Sequence, residues 1–416
     1  MSGIHGHINH LYEDRDLSFR ELKKIISDLG SGKIDAHEKI DGINLYITID
    51  PHTESIRVAR NKSHIKSGGL DLEGIKQNFS NRPQLMTCLS EAYEALSKAF
   101  DVIDAEAKYG IFGSTGGVWV SCDIVDPNIA NTIAYGGKSV VFHKQGTRLF
   151  NFDGTALSFN LDKNIQTLQH LIPEMNEALA DTEWNLSGPI SVPLRPLDSI
   201  EVDGYLRELD ELAQRSRIQV GDSIHQYLYK RLIDEMQRYV SIHHVIKDFV
   251  IKRELGIPGM PTINKICNGL DPYIKDQIRM MVSDCKKTIK KLMLPIEAIV
   301  YNFSKKILSG MTSSLVDDGP AELERLRGET ANCIDIIKNS GDEKGTDMLS
   351  SQVYKLKSPN DIDTVIEGIV FPYGTKTFKV TGVFAPMNRI CGYVKYKKVK
   401  TDPVHAPSLA QFFSAG

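Results

Sequence analysis

The spacing of apolar residues changes three times along this chain. From Ser18 to Leu29 they recur every three or four positions, the period of a helix with one buried face, and Ser18 with Glu21 three residues on forms a capping box. Ile43, Leu45, Ile47 and Ile49 then alternate with other residues, which predicts a half-buried strand. Arg57-Val58-Ala59-Arg60 predicts its hairpin partner, with Pro51, His52 and Thr53 in the turn. A helix over 82–100 and a strand-rich stretch over 110–152 follow. Helical spacing dominates the middle, over 199–215, 223–255 and 271–308, broken by Gly256-Ile257-Pro258-Gly259. Strands return at 364–371 and 377–384, with Tyr373-Gly374 marking the turn.

This texture predicts an α+β domain interrupted by a large all-helical insertion. Its first part spans 1–156, the insertion 157–358, the second part 359–400, and a tail 401–416. Phe112-Gly113-Ser114-Thr115-Gly116-Gly117 lacks the Gly-Lys-Ser/Thr ending of a P-loop and reads as a tight turn.

Composition adds bounds rather than detail. A chain of 416 residues, 41% hydrophobic and 25% charged, fits an ordinary soluble protein of two or three domains. The formal net charge of -3 gives no global attraction to a polyanion, so a nucleic-acid surface has to be local. Lys275, Arg279, Lys286, Lys287, Lys290 and Lys291 in one predicted helix make either such a surface or a solvated face. The six cysteines show no metal-ligand spacing and read as reduced intracellular thiols. With no signal-peptide or membrane-length apolar run, the expected location is cytoplasmic.

The chemistry is carried by three short motifs. Lys39-Ile40-Asp41-Gly42 opens the alternating strand, Glu367-Gly368-Ile369-Val370 lies more than three hundred residues on, and Phe378-Lys379-Val380 follows it. A lysine becomes a nucleophile only when its amine loses a proton, and burial beside cations such as Arg60 and Lys379 is expected to lower its pKa. In this order the motifs resemble those of the covalent nucleotidyltransferase superfamily of ATP-dependent RNA and DNA ligases and capping enzymes. The resemblance implies a ligase-type fold, with ATP-grasp-like antiparallel sheets and helices, over about half the chain.

It also implies roles. Lys39 attacks the α-phosphate of ATP, releases pyrophosphate and carries AMP as a lysyl phosphoramidate, which passes to a 5′-phosphate end that a 3′-hydroxyl then seals. Asp41 and Gly42 shape the turn that aims Lys39, Glu38 or His37 receives the adenine amino group, and Arg60 contacts the sugar or phosphates. Asp123, in Trp119-Val120-Ser121-Cys122-Asp123, stands where ligases carry glutamate, and with Glu367 it would hold Mg²⁺ or Mn²⁺. Phe142 or Phe150 stacks on adenine. Lys379 binds the α-phosphate, with Lys376 as a second contact. The chain departs from the family at Asn44, where arginine or serine is usual, and at Thr381, where a second lysine is common.

No OB-fold would fit after Lys379, which favours the RNA-ligase branch, a compact phage-type RNA ligase, and RNA over DNA as substrate. Leu409-Ala410-Gln411-Phe412-Phe413 resembles the tails by which replication proteins bind a sliding clamp, the other reading being docking on the protein's own core. Two alternatives keep the same residues: AMP transfer to a protein or small molecule, and a non-catalytic nucleotide- or nucleic-acid-binding module.

Overall fold

In the computed structural model the chain is α+β and divides into two compact units. One combines Asp35–Val192 with the chain from Leu308 on, and the other combines Asn9–Ile34 with Pro193–Ile307. The residues described are 8–114, 117–129, 132–144, 148–150, 156–157, 162–340 and 343–397, with the side chains of 148–150, 156–157, 162, 343–348 and 396–397 excepted. The tail with its clamp-like Leu409–Phe413 segment, Thr115 and Gly116 of the expected turn, and the side chain of Phe150 lie outside them. No helix among the described residues is long and apolar enough to cross a membrane.

The first unit is built on two sheets. In one, Lys376–Val380, Gly368–Tyr373, Ala36–Lys39 and Ser191–Val192 lie side by side in that order, all antiparallel. The chain leaves Lys39 through Ile40-Asp41-Gly42 and enters the second sheet at once. There the order is Ile56–Ala59, Ile43–Ile49, Val118–Val125, Lys138–Phe142 and Trp184–Ser187, the last pair parallel and the rest antiparallel.

Register in the second sheet sorts its residues by face. Leu45 pairs with Cys122 and Cys122 with Phe142, so these three share one side, and Ile47 and Val120 follow them two residues along. That side is apolar and is covered by the helices Pro83–Asp101, Ala105–Phe112 and Asp162–Ala178, through residues such as Leu89, Leu96, Phe112, Ile165 and Leu168. Each such side chain, fully buried, stabilises by about 1.5–3 kcal/mol. The opposite side carries Asn44, Tyr46, Ser121 and Asp123. Tyr46 and Trp119 close that side at one end, against Ala59 and Ile65.

The second unit is helical: Phe19–Gly30, Ser199–Arg215, Ile224–Glu235, His244–Glu254, Ile263–Ile266 and the long Pro272–Leu308, whose residues through Ile307 fall in it. Its first helix has the expected capping box, Glu21 N donating to Ser18 Oγ at 3.1 Å and Ser18 N to Glu21 Oε2 at 2.8 Å. The helix packs on Ser199–Arg215 closely enough that a Cβ at Gly30 would lie 2.7 Å from Val202 Cγ2.

Three boundaries differ from the sequence expectation. The helical unit is shorter than 157–358, because Asp162–Ala178, Gly319–Asn339 and Glu343–Leu356 belong to the α/β unit, where their apolar faces complete its cores. The N-terminal segment Asn9–Ile34 belongs instead with the helices. The last strand ends at Val380 rather than 384, and a helix, Phe384–Lys397, follows it.

Candidate active site

Lys39 is the last residue of its strand, with its Cα opposite Gly368, so Glu367 arrives beside it from the neighbouring strand. The Lys39 ammonium is ion-paired with the Glu367 carboxylate, and 25% of the lysine side chain stays exposed. Gly368 is obligatory here: a Cβ would stand 2.0 Å from Val380 O. The glycine expected from the motif therefore serves the close approach of two strands.

The turn after Lys39 is held from outside. Asp41 Oδ2 accepts from Thr132 N at 2.7 Å and Ile133 N at 3.3 Å, and Asp41 N donates to Tyr135 Oη at 2.8 Å. Gly42 passes so near the second sheet that a Cβ would meet Asp123 Cβ at 2.9 Å and Ile124 O at 3.0 Å. This brings Asp123 under the turn, into electrostatic reach of Lys39. Asp123 Oδ2 lies 3.2 Å from His143 Nε2, and Asn44 hydrogen-bonds to the same carboxylate. Asn44 Nδ2 also donates to Ser121 Oγ and Cys122 O, both at 3.3 Å.

The charges correct one expectation. Burial works against the Lys39 ammonium, but Glu367 first, then Asp123 and Asp41, outweigh it and raise its pKa. The lysine is held as a cation among carboxylates rather than discharged by cations. Glu367 is pushed up to about 7 by burial and by Asp41 and Asp123, against the pull of Lys39. Burial raises Asp41 as well, opposed by the Thr132 and Ile133 amides. Asp123 goes the other way: burial would raise it, but His143, Lys39 and Asn44 together hold it below the usual carboxylate range.

The remaining expected residues divide into those the fold gathers and those it does not. Lys379 is buried and pairs with Val370, which pairs with His37, so Lys379, His37 and Lys39 share one face of the first sheet. Arg60, half-buried, feels the charge of Asp123, while burial and Arg82 lower its pKa. Between Glu38 and His37, alternation puts His37 on the Lys39 face and turns Glu38 away from it. Buried Glu38 Oε2 accepts from Ser314 N at 3.4 Å. His37 Nδ1 and Glu38 Oε1 are both buried without a hydrogen-bond partner.

Two residues fall elsewhere. Phe142 is fully buried in the apolar core, on the side of its sheet opposite Asp123, because its register partner is Cys122; an adenine-stacking role does not fit that position. Lys376 is exposed at the hairpin turn, opposite Tyr373, five residues along the strand from the Gly368 level, or about 17 Å at strand spacing. His143 and Tyr135, which do line the cluster, carried no sequence signal beyond lying near a predicted strand.

Among the described residues, no group of three or more His, Cys, Asp or Glu is arranged to hold a metal ion. Asp123 and Glu367 fit a divalent cation only in the manner of Mg²⁺, which takes one or two carboxylates and fills its other positions with water and substrate phosphates. The excess of carboxylate charge that raises Glu367 is the property such an ion would relieve. No known protein family, curated protein or solved structure matches this chain.

Proposed function

We propose that the α/β unit is a covalent nucleotidyltransferase and that the protein is an ATP-dependent polynucleotide ligase acting on RNA in preference to DNA. The observation that carries this reading is the meeting of Lys39, Asp123 and Glu367, far apart in sequence, around one lysine ammonium. Lys379 shares that lysine's face of the sheet.

An ammonium has no lone pair, so the Lys39–Glu367 ion pair is the resting state, and Nζ gives up a proton before it reacts. The Nζ lone pair then forms a bond to the α-phosphorus of ATP, while the bond from that phosphorus to the bridging oxygen breaks and pyrophosphate leaves. Lys379 supplies a compact positive charge on the same face, suited to the phosphoryl oxygens as charge builds there. A 5′-phosphate oxygen next takes the AMP from Lys39, and a 3′-hydroxyl displaces AMP to join the ends. Asp123 and Glu367 would hold Mg²⁺ or Mn²⁺, which would supply charge neutralisation at the phosphates. His37, with its unpartnered buried Nδ1, is the better placed of the two residues upstream of Lys39 to meet the nucleotide.

The raised pKa of Lys39 favours a second reading, a nucleotide-binding module without the covalent step. Incubation with α-labelled ATP and Mg²⁺ separates the two. The ligase reading expects label that is retained on wild type denatured at neutral or alkaline pH, is released by acid as a phosphoramidate is, and is absent from Lys39→Ala, then chased by nicked RNA more than nicked DNA. No label on folded wild type with ATP, GTP or NAD as donor removes the covalent reading.

A further inference from the structure

All six cysteines are free thiols, and two of them are neighbours where two helices pack. Cys333 is buried on the helix Gly319–Asn339, and Cys391, partly exposed, is on Phe384–Lys397 and packs against the apolar cluster that holds Cys333, near enough for the two thiols to perturb each other. Thr330 Oγ1 also lies 3.9 Å from Cys391 Sγ. Both helices reach the loop that fixes the Asp41 turn. Thr132 Oγ1 donates to Asn388 Oδ1 at 2.8 Å, and Asn388 precedes Cys391 by three residues, on the same helix face. From the other helix, Arg325 Nη2 donates to Thr132 O at 2.6 Å and Glu322 Oε1 accepts from Ala134 N at 2.8 Å. Glu322 and Cys333 are eleven residues apart, about three helical turns, and so face the same way.

We propose that Cys333 and Cys391 are an oxidative modification site, closing to a disulfide with a low-molecular-weight disulfide such as oxidised glutathione and thereby tying together the two helices that hold the Asp41 loop. Cys391 is the sulfur a reagent meets first. Its thiolate attacks one glutathione sulfur, forming a mixed disulfide and breaking the glutathione S–S bond; the first glutathione leaves as a thiolate and takes up a proton. Cys333 then attacks the Cys391 sulfur, the protein disulfide forms, and the second glutathione leaves with the remaining proton. Two thiols are oxidised and one glutathione disulfide is reduced to two thiols. The neighbouring Cys391, burial and the nearby Glu329 keep the Cys333 thiol protonated until this second step.

The test uses the full chain, treated with oxidised glutathione, freed of excess reagent, alkylated and digested without reductant. The expected result is a peptide joining Cys333 to Cys391 that dithiothreitol releases, with severalfold slower amide hydrogen exchange over 132–135 in the oxidised protein. Cys391→Ser, a milder change than one at the buried partner, should show neither effect. Cys391 left carrying glutathione beside an alkylated Cys333, or both cysteines alkylated, would overturn the proposal. A joined peptide with unchanged exchange over 132–135 would overturn its link to the loop. Neither readout depends on ligase activity.

Discussion

Buried residues of the α/β unit include His37, Glu38, Lys108, Asp123, Glu322, Glu367 and Lys379, whereas among the described residues of the helical unit the polar groups withdrawn from water are few: Ser304, the Tyr227 hydroxyl on Leu292 O and the Glu254 side chain, 6% exposed. Withdrawing a charge from water costs several kcal/mol unless a partner restores the lost solvation, so such groups persist only where each has a specific neighbour or a task. In the α/β unit the partners are explicit: Glu367 for Lys39, His143 and Asn44 for Asp123, backbone amides for Asp41. The helical unit has a carboxylate withdrawn in the same way, Glu254, paired with Arg253 at 2.6 Å, but no such cluster of buried charges among its described residues. Perturbed pKa values concentrate where chemistry is done, and that contrast points to the first unit as the seat of function.

The largest stability effect expected from testing this contrast is at Gly368. Valine there would drive a Cβ into Val380 O, a backbone atom that cannot rotate away, and would push apart the strands that bring Glu367 to Lys39. Gly368→Val should cost about 3 kcal/mol or more in urea unfolding. A cost below about 1 kcal/mol would mean that the strands are not packed at this distance.

A smaller effect depends on pH. Burial lowers the pKa of His37, with Lys144 and His143 adding to that and Asp35 opposing it. The native imidazole therefore stays neutral, while the unfolded chain binds a proton near the ordinary value of about 6.5. As pH falls through that value the unfolded state takes up a proton the native state refuses, so stability is lost on the acid side and is fully present above it. The slope from this one group is at most about 1.4 kcal/mol per pH unit. Unfolding of wild type and His37→Asn compared from about pH 5 to 8 should show a shallower acid limb in the variant. Parallel limbs would show that His37 is not held neutral.

The same contrast explains what could be read from the chain in advance. The helix Phe19–Gly30 was legible because one apolar face against water leaves a periodic trace, and the strand Ile43–Ile49 because its aliphatic residues alternate, although it is buried on both faces from Leu45 to Ile49 rather than half-buried as expected. Lys39 and Glu367 were legible as motifs, and the ion pair joins them. The strands Trp184–Ser187 and Ser191–Val192 were not, being too short to show a period, although the second pairs directly with Ala36 and His37. The face of Phe142 was hidden for a different reason: a shift of one residue in register exchanges core and site, and register is set by partners far along the chain. The lysine's electrostatics were misread because sequence names charged residues without saying which of them touch. Helices such as Gly319–Asn339 have ordinary amphipathic spacing, which does not say whose core they complete.

In the helical unit the expected effects are smaller and local. Ser18→Ala removes the acceptor of Glu21 N and with it half of the capping box, a loss of about 1 kcal/mol. Faster hydrogen exchange should be confined to the first turn of Phe19–Gly30. Exchange unchanged there would mean that tertiary packing, and not the cap, sets the start of that helix.

The smallest effect expected is at Ser304, and it bears most directly on the contrast. Its hydroxyl donates to Val300 O at 2.6 Å, four residues back in its own helix, on a carbonyl that the helical ladder also uses. Alanine removes the donor and its need for solvation together and leaves that carbonyl with its backbone partner, so unfolding should change by no more than about 0.5 kcal/mol. Asp123 differs in kind, because its removal would take the carboxylate partner from His143 and leave Asn44 only Ser121 Oγ and Cys122 O as acceptors. If Ser304→Ala costs several times the expected amount in urea unfolding, the helical unit leans on its few buried polar contacts as well, and the division between a unit with a cluster of buried charges and one held mainly by apolar packing does not hold.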